Sequence, residues 1–146
     1  MSTNSKDRSG SDIGWQAQKS AMTRDRILDA VIGCFIAEGY SNLTTAKVAT
    51  SAGVSRGAML HHFPSKTELI RATVEHLHGK LLEDFSARVH KIPRRLKGAA
   101  RRKAGLEAYW QHLSSDLFIS YHELCVAGRT DPELSDILDE SLADFE

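Results

Sequence analysis

The sequence predicts an all-α fold: successive helices, with two short ones joined by a glycine turn in the first half and a long one after them. Three observations predict it. Apolar residues recur at helical spacing in one segment after another, and no alternating stretch of useful length breaks the pattern. Serine, threonine and aspartate stand where helices would start, with glycine or proline where they would stop. The chain has 146 residues, 41% apolar and 26% charged, enough to bury one real core.

Residues 1–20 are rich in Ser, Asp, Lys, Arg and Gly, with the lone Trp15, and read as a flexible arm. From Thr23 the pattern changes. Ile27, Leu28, Val31, Ile32, Phe35 and Ile36 recur at helical spacing, which predicts a first helix over about Arg24–Glu38. Thr23 suits its start, and Gly39 suits a left-handed residue after its end. Thr44 or Thr45 caps a short second helix carrying Ala46, Val48, Ala49 and Ala52, which Gly53 ends. Ser55 caps a third helix over Arg56–His62, and Pro64 breaks the chain. Ser65-Lys-Thr-Glu68 is a capping box, with Glu68 placed to reach back to the first backbone N–H. It opens a long helix striped by Leu69, Ile70, Val74, Leu77, Leu81, Phe85 and Val89, bounded by Pro93.

The second half repeats the signal. Leu106, Tyr109, Trp110, Leu113 and Leu117 share a face, and Phe118, Tyr121, Leu124 and Cys125 continue the spacing. On that reading Ser114-Ser115-Asp116 is a polar patch on a helix. Thr130-Asp-Pro-Glu133 caps a last helix, with Pro132 in its first turn, where a missing N–H costs nothing. Leu134, Ile137, Leu138, Leu142 and Phe145 follow. Three units result: an arm (1–20) and two helical units (21–81 and 82–146).

Composition excludes several classes. No apolar run approaches the roughly 18–20 residues of a membrane helix, so no membrane partner is expected. The first residues have no apolar core and are not a secretory signal. Cys34 and Cys125 lie among apolar residues and make no disulfide framework, so a reducing cytoplasm is the expected compartment. Formal charge is zero but unevenly spread. Arg88 to Lys103 holds eight bases and no acid, whereas Asp116 to Glu146 holds nine acids and only Arg129 as a base. The basic run reads either as a solvated stretch pairing with the acidic tail or as a nucleic-acid contact.

Thr44–Lys66 is the informative segment. Ala49 is small enough for two helices to cross closely, Gly53 permits the turn, and Val48, Ala52, Val54 and Met59 point inward. This leaves Ser55, Arg56, Gly57 and His61 on the outer side of the third helix, a disposition that suits a helix laid in a major groove. Arg56 has the shape for a bidentate bond to guanine O6 and N7. Thr44, Thr45, Lys47 and Lys66 lie at helix starts or edges, where hydroxyls, ammonium groups and free N–H groups meet phosphate oxygens.

The stretches "RILDAVIGCFIAEGY" and "LTTAKVATSAGVSRGAMLHHFPSKTEL" resemble the tetracycline-repressor-like (TetR) family of bacterial regulators. The resemblance covers Thr23–Leu69, about the first half of the chain, and includes the G-V-S-x-G turn, the His62-Phe63 pair and the following S-K-x-x-L. "HLSSDLFISYHELCVAGRTDPELSDIL" resembles the family body loosely. The family implies a DNA-binding head, here 21–81, a linking helix and a ligand-binding and dimerisation body, here the partial 82–146. It also implies a homodimer on a palindromic operator, acting as a repressor released by a small-molecule effector. His62 falls among the phosphate-binding positions that the resemblance implies. Leu60 stands where the family commonly has a tyrosine touching phosphate; leucine cannot donate that bond, which shifts the contact toward His61 or Arg56. The last family helices build the dimer interface, and this chain ends inside a predicted helix. Either the body is truncated or the dimer uses fewer helices.

No catalytic chemistry competes. His76 and His78 are two apart and face different ways; His112 and His122 have no Cys or carboxylate at ligand spacing. No phosphate loop, nucleophile elbow or HExxH motif is present, so neither an enzyme nor a metal or cofactor is expected. Tyr109, Trp110, Phe118 and Tyr121 read first as core and second as an apolar ligand pocket. The competing function is a helical ligand-binding or protein-interaction module that has lost operator binding through an incomplete dimer interface.

Overall fold

The computed structural model describes residues 7–143, with side chains placed from residue 12 onward. Seven helices follow one another: α1 (Asp7–Glu38), α2 (Thr45–Ala52), α3 (Arg56–His62), α4 (Lys66–His90), α5 (Gly98–Leu113), α6 (Asp116–Gly128) and α7 (Pro132–Ala143). A 3-10 turn over Tyr40–Asn42 joins α1 to α2, and no strand occurs among the described residues.

Helix α1 corrects the expected arm. It starts at Asp7, so residues 7–20 are helical, and residues 1–6 lie outside the described part. Once the buried turns from Ile27 to Phe35 are fixed, each upstream residue adds one hydrogen bond at little cost. Gly14 lowers the gain by about 1 kcal/mol relative to alanine, but no proline stops the helix. Thr23 is therefore no cap; its hydroxyl donates to the Lys19 carbonyl at 3.0 Å.

The central caps match their sequence signals. Thr44, not Thr45, caps α2 by accepting the Lys47 N–H at 3.2 Å. Gly53 closes α2 in the left-handed conformation (φ 65°), and the Val54 N–H returns to the Ala49 carbonyl at 3.0 Å. The Ser55 hydroxyl accepts the Ala58 N–H at 3.1 Å to start α3. Ser65 accepts the Glu68 N–H at 3.2 Å. The Glu68 carboxylate accepts from the Ser65 hydroxyl at 3.1 Å rather than from the backbone, so the box closes through side chains.

Two local readings fail. The face running from Leu106 to Leu117 is interrupted at Ser114, and Ser115 caps a new helix by accepting the Phe118 N–H at 3.2 Å. Ser114-Ser115-Asp116 is thus a helix junction, not a patch on one helix. Apolar spacing runs through the junction and hides it. Gly39 has φ 81° and ψ 165°, an extended conformation with positive φ rather than the left-handed helical one. At α7 the cap is Asp131, whose carboxylate accepts the Leu134 N–H at 3.2 Å, with Pro132 in the first turn as expected. The expected continuation to Phe145 lies outside the described residues.

One continuous core joins Ile27, Val31 and Phe35 of α1 to Val48, Met59, Phe63, Leu69 and Leu77, and onward to Leu124, Leu134 and Ile137 of α6 and α7. Ile36, Phe85, Val89, Leu106 and Leu142, expected on buried stripes, are exposed. Tyr109 and Trp110, read first as core, are 51% and 66% exposed. Periodicity locates a stripe but not what covers it.

Acids of α6, of α7 and of the turn between them bind the head side of the molecule. The Glu123 carboxylate accepts the Tyr40 backbone N–H at 3.1 Å, and Asp131 accepts from the Tyr40 hydroxyl at 3.3 Å. The Thr67 hydroxyl donates to Glu133 at 2.6 Å, and Arg71 pairs with Glu140. Burial, then the Asp131 charge, pushes the Tyr40 phenol up to about 12, so it stays a donor.

Candidate nucleic-acid interface

Helix α3 is short and two-sided. Met59 is buried and Ala58 half-buried, while Arg56, Gly57, Leu60 and His61 are exposed. These four occupy positions i, i+1, i+4 and i+5, which places them on one face. No ion pair among the described residues involves Arg56, so its five N–H donors are open to a partner. A Cβ on Gly57 would meet nothing within 4 Å. The chain's own packing therefore does not require glycine there, although it weakens the helix by about 1 kcal/mol relative to alanine. Backbone approach to an external surface supplies a reason.

The edge residues divide. Thr44 and Ser55 spend acceptor capacity on their caps, yet each hydroxyl keeps its proton for a phosphate or base acceptor. Thr45 is exposed in the first turn of α2. Lys47 is not free: its ammonium pairs with Glu38 and donates to the Asn42 carbonyl at 3.3 Å. Lys66 sits with its ammonium 5.9 Å from the Tyr40 ring centre, at a cavity of about 170 Å³ that also includes Asp131 and Glu133. His62 is half-buried, edge-on to His61 with ring centres 5.5 Å apart. Burial, then the neighbouring His61 and Arg24, pulls its pKa down, so near neutral pH it offers one N–H rather than a charge.

Arg24 was missed in the sequence. Its guanidinium lies 5.2 Å from the centre of the Phe63 ring, at the C-terminal end of α3. It thereby adds a cation beside His62. Only the fold brings α1 to the residue that ends α3; in the sequence Arg24 is one polar residue among several at a supposed helix start.

Of the body aromatics, Tyr121 lines an apolar groove of about 440 Å³ with His78, Leu81, Leu82 and Leu142. Phe118 packs against Tyr121 with ring centres 6.2 Å apart and against His112 at 5.6 Å. Burial, then Cys125, pushes the Tyr121 phenol up to about 12. The His78 imidazole, paired with the Ser141 hydroxyl at 2.8 Å, is pulled down by burial. Among the described residues no group of three His, Cys, Asp or Glu side chains is arranged to hold a metal.

A tight glycine turn, a capped short helix and an exposed polar face on it define a helix-turn-helix protein. Residues 27–73 match the family model of bacterial regulatory proteins of the tetR family. Over those residues the chain carries a domain of that family. It is 40% identical over 77 residues to the HTH-type transcriptional regulator CymR of Pseudomonas putida, covering 53% of this chain and 38% of that one. It is 30% identical over 130 residues to the HTH-type transcriptional regulator Rv2912c of Mycobacterium tuberculosis, covering 89% and 65%. The chain thus spans between about a third and two thirds of the length of these curated relatives. The crystal structure of the multidrug binding protein EbrR complexed with imidazole superposes with a TM-score of 0.58 over 81% of this chain and 65% of that one, at 21% identity. At that identity it shows the shared all-α fold. The matched relatives carry the names of regulators, as expected of a chain without catalytic motifs.

Proposed function

We propose that this chain is a DNA-binding transcriptional regulator that reads a palindromic operator as a homodimer and acts as a repressor released by a small molecule. The exposed face of α3 carries the reading: four outward residues, one of them a glycine that no internal contact requires. Arg56 donates to guanine, Ser55 and His61 bond neighbouring base edges, and Gly57 lets the backbone approach. Thr44, Thr45, Lys47, His62 and Lys66 hold phosphates at the rim, joined by Arg24, while Leu60 packs against sugar. Lys47 exchanges Glu38 for a phosphate in doing so.

The body (82–146) senses the effector, with Tyr121 and Phe118 in or beside the groove and Tyr109 and Trp110 outside it. Helix α4 crosses from head (21–81) to body, and Glu123 of α6 and Asp131 before α7 hold the Tyr40 corner of the head. A ligand that favours a body conformation with misaligned heads lowers operator affinity by the same factor that operator lowers ligand affinity. The protein acts in the cytoplasm, where the operator is. No helix among the described residues is long and apolar enough to cross a membrane.

Selection of bound duplexes from a random pool tests the reading. The expected result is an enriched inverted repeat. A single half-site would overturn the homodimer, and no enrichment by folded protein would overturn operator reading and leave the interaction module. Arg56→Ala should relax specificity at one base step by about 1–3 kcal/mol, whereas Lys66→Ala should weaken all sequences alike.

A further inference from the structure

The basic run is the strongest feature that operator reading leaves unused. Lys91, Arg94, Arg95, Lys97, Arg101, Arg102 and Lys103 are all exposed, on the turn between α4 and α5 and the first turns of α5. None of the seven forms an ion pair among the described residues; in this run only Arg88 does, with Asp84 at 2.7 Å. The acidic half does not neutralise them. Four of its carboxylates, Glu123, Asp131, Glu133 and Glu140, are committed elsewhere, to Tyr40, Thr67 and Arg71, at the other end of α4, and no ion pair among the described residues joins any acid of that half to the run. Helix α4 separates the two ends: Lys66 begins it beside α3, and 24 residues of rise carry the chain about 36 Å to His90.

We infer that the α4–α5 corner is a second, sequence-independent DNA-binding surface, apart from the helix-turn-helix, that grips backbone phosphates. Seven cations with no acid between them are the composition that phosphate binding through counterion release requires. Four of them are arginines, whose planar fork matches a phosphate bidentately. The N-terminus of α5 adds its oriented N–H groups to the same corner. The long side chains exposed across it are all charged, so the surface reads charge rather than sequence. A segregated charge distribution of this kind also speeds encounter with DNA before the operator is found.

The inference rests on the chain being a DNA-binding protein, and the test separates the two. The full chain is titrated against a duplex of arbitrary sequence between 50 and 200 mM salt. It is compared with a corner variant (Arg94→Gln, Arg95→Gln, Arg101→Gln, Arg102→Gln) and a head variant (Arg56→Ala, His61→Ala). Four lost phosphate contacts should reduce the log–log salt slope by about 3.6. The expected result is a slope loss of two or more in the corner variant, with at least tenfold weaker binding at 50 mM. The head variant should keep most of the wild-type slope while losing operator binding. Circular dichroism and melting should not change, since the replaced side chains are exposed and unpaired; if the quadruple variant fails to fold, Lys91→Gln, Lys97→Gln and Lys103→Gln together serve the same comparison. A slope loss below two overturns the inference, whether or not operator binding survives. So does a corner variant that keeps its DNA binding but loses binding to vesicles containing phosphatidylserine, which would assign the corner to an anionic membrane. Failure of operator selection with a corner-dependent slope would overturn only the operator reading.

Discussion

Gly39→Ala should be costly for two reasons that can be measured apart. Gly39 holds φ 81° and ψ 165°, a region that residues with a Cβ reach only with about 1–3 kcal/mol of strain. A Cβ there would also lie 2.5 Å from Glu123 Oε1. That oxygen ends a flexible side chain, so it swings away, but doing so breaks its 3.1 Å bond from the Tyr40 N–H. Losing that bond costs about 1 kcal/mol. The sum is about 2–4 kcal/mol, or roughly 5–15 °C in melting temperature for a chain of this size. Urea unfolding followed by far-ultraviolet circular dichroism gives the value. Glu123→Ala alone should cost about 1 kcal/mol, and the double variant should cost no more than Gly39→Ala, because the bond is lost only once. A Gly39→Ala cost below about 0.5 kcal/mol, or strictly additive costs in the cycle, would refute the reasoning.

Other outcomes follow from single contacts. Leu60→Tyr places a hydroxyl on a side chain now 48% exposed on the outer face of α3, and should tighten operator binding by about threefold to tenfold in a gel-shift titration. Ser65→Ala removes the α4 cap and should cost about 1 kcal/mol in urea unfolding. His78 is pulled down by burial, so the folded protein resists its protonation. The neutral form's advantage is full above the unfolded pKa near 6.5 and shrinks as pH falls below it. The wild type should therefore lose more melting temperature between pH 7.5 and 5.5 than His78→Gln, and equal losses would remove His78 as the cause. Met59→Ala opens a cavity beneath the reading face and should cost about 2–5 kcal/mol, seen as a lower urea midpoint with the slope unchanged.

Much of what is local between Thr44 and Glu68 was legible, whereas the Gly39 conformation and the helix junction at Ser114-Ser115 were not. The caps at Thr44, Ser55 and Ser65 and the turn at Gly53 depend on residues within a few positions, and each forms near where the sequence puts it. The outward set on α3 was legible for the same reason, since helical geometry alone places it. Contacts between distant segments were not. Lys47 reads as a free cation until α1 brings Glu38 beside it, and Arg24 reads as filler until Phe63 arrives beneath it. Tyr109 and Trp110 recur at helical spacing, yet exposure depends on neighbours that spacing cannot name. The polar stretch over residues 7–22 has little apolar surface of its own and is helical as the extension of a buried segment.

The core that runs from Ile27 and Phe35 through Leu77 to Leu124 and Leu134 has a consequence for how the protein lives and fails. Head and body share buried side chains, so they should melt in one cooperative step. Leu134 touches no surface that could meet DNA, yet its loss would lower the fraction of molecules presenting α3 at all. A small molecule that bound the folded body would conversely raise the supply of folded reading heads, even if, as proposed, it pulled each of them off the operator. Abundance and affinity would then move in opposite directions under one effector, and a cell would feel their product.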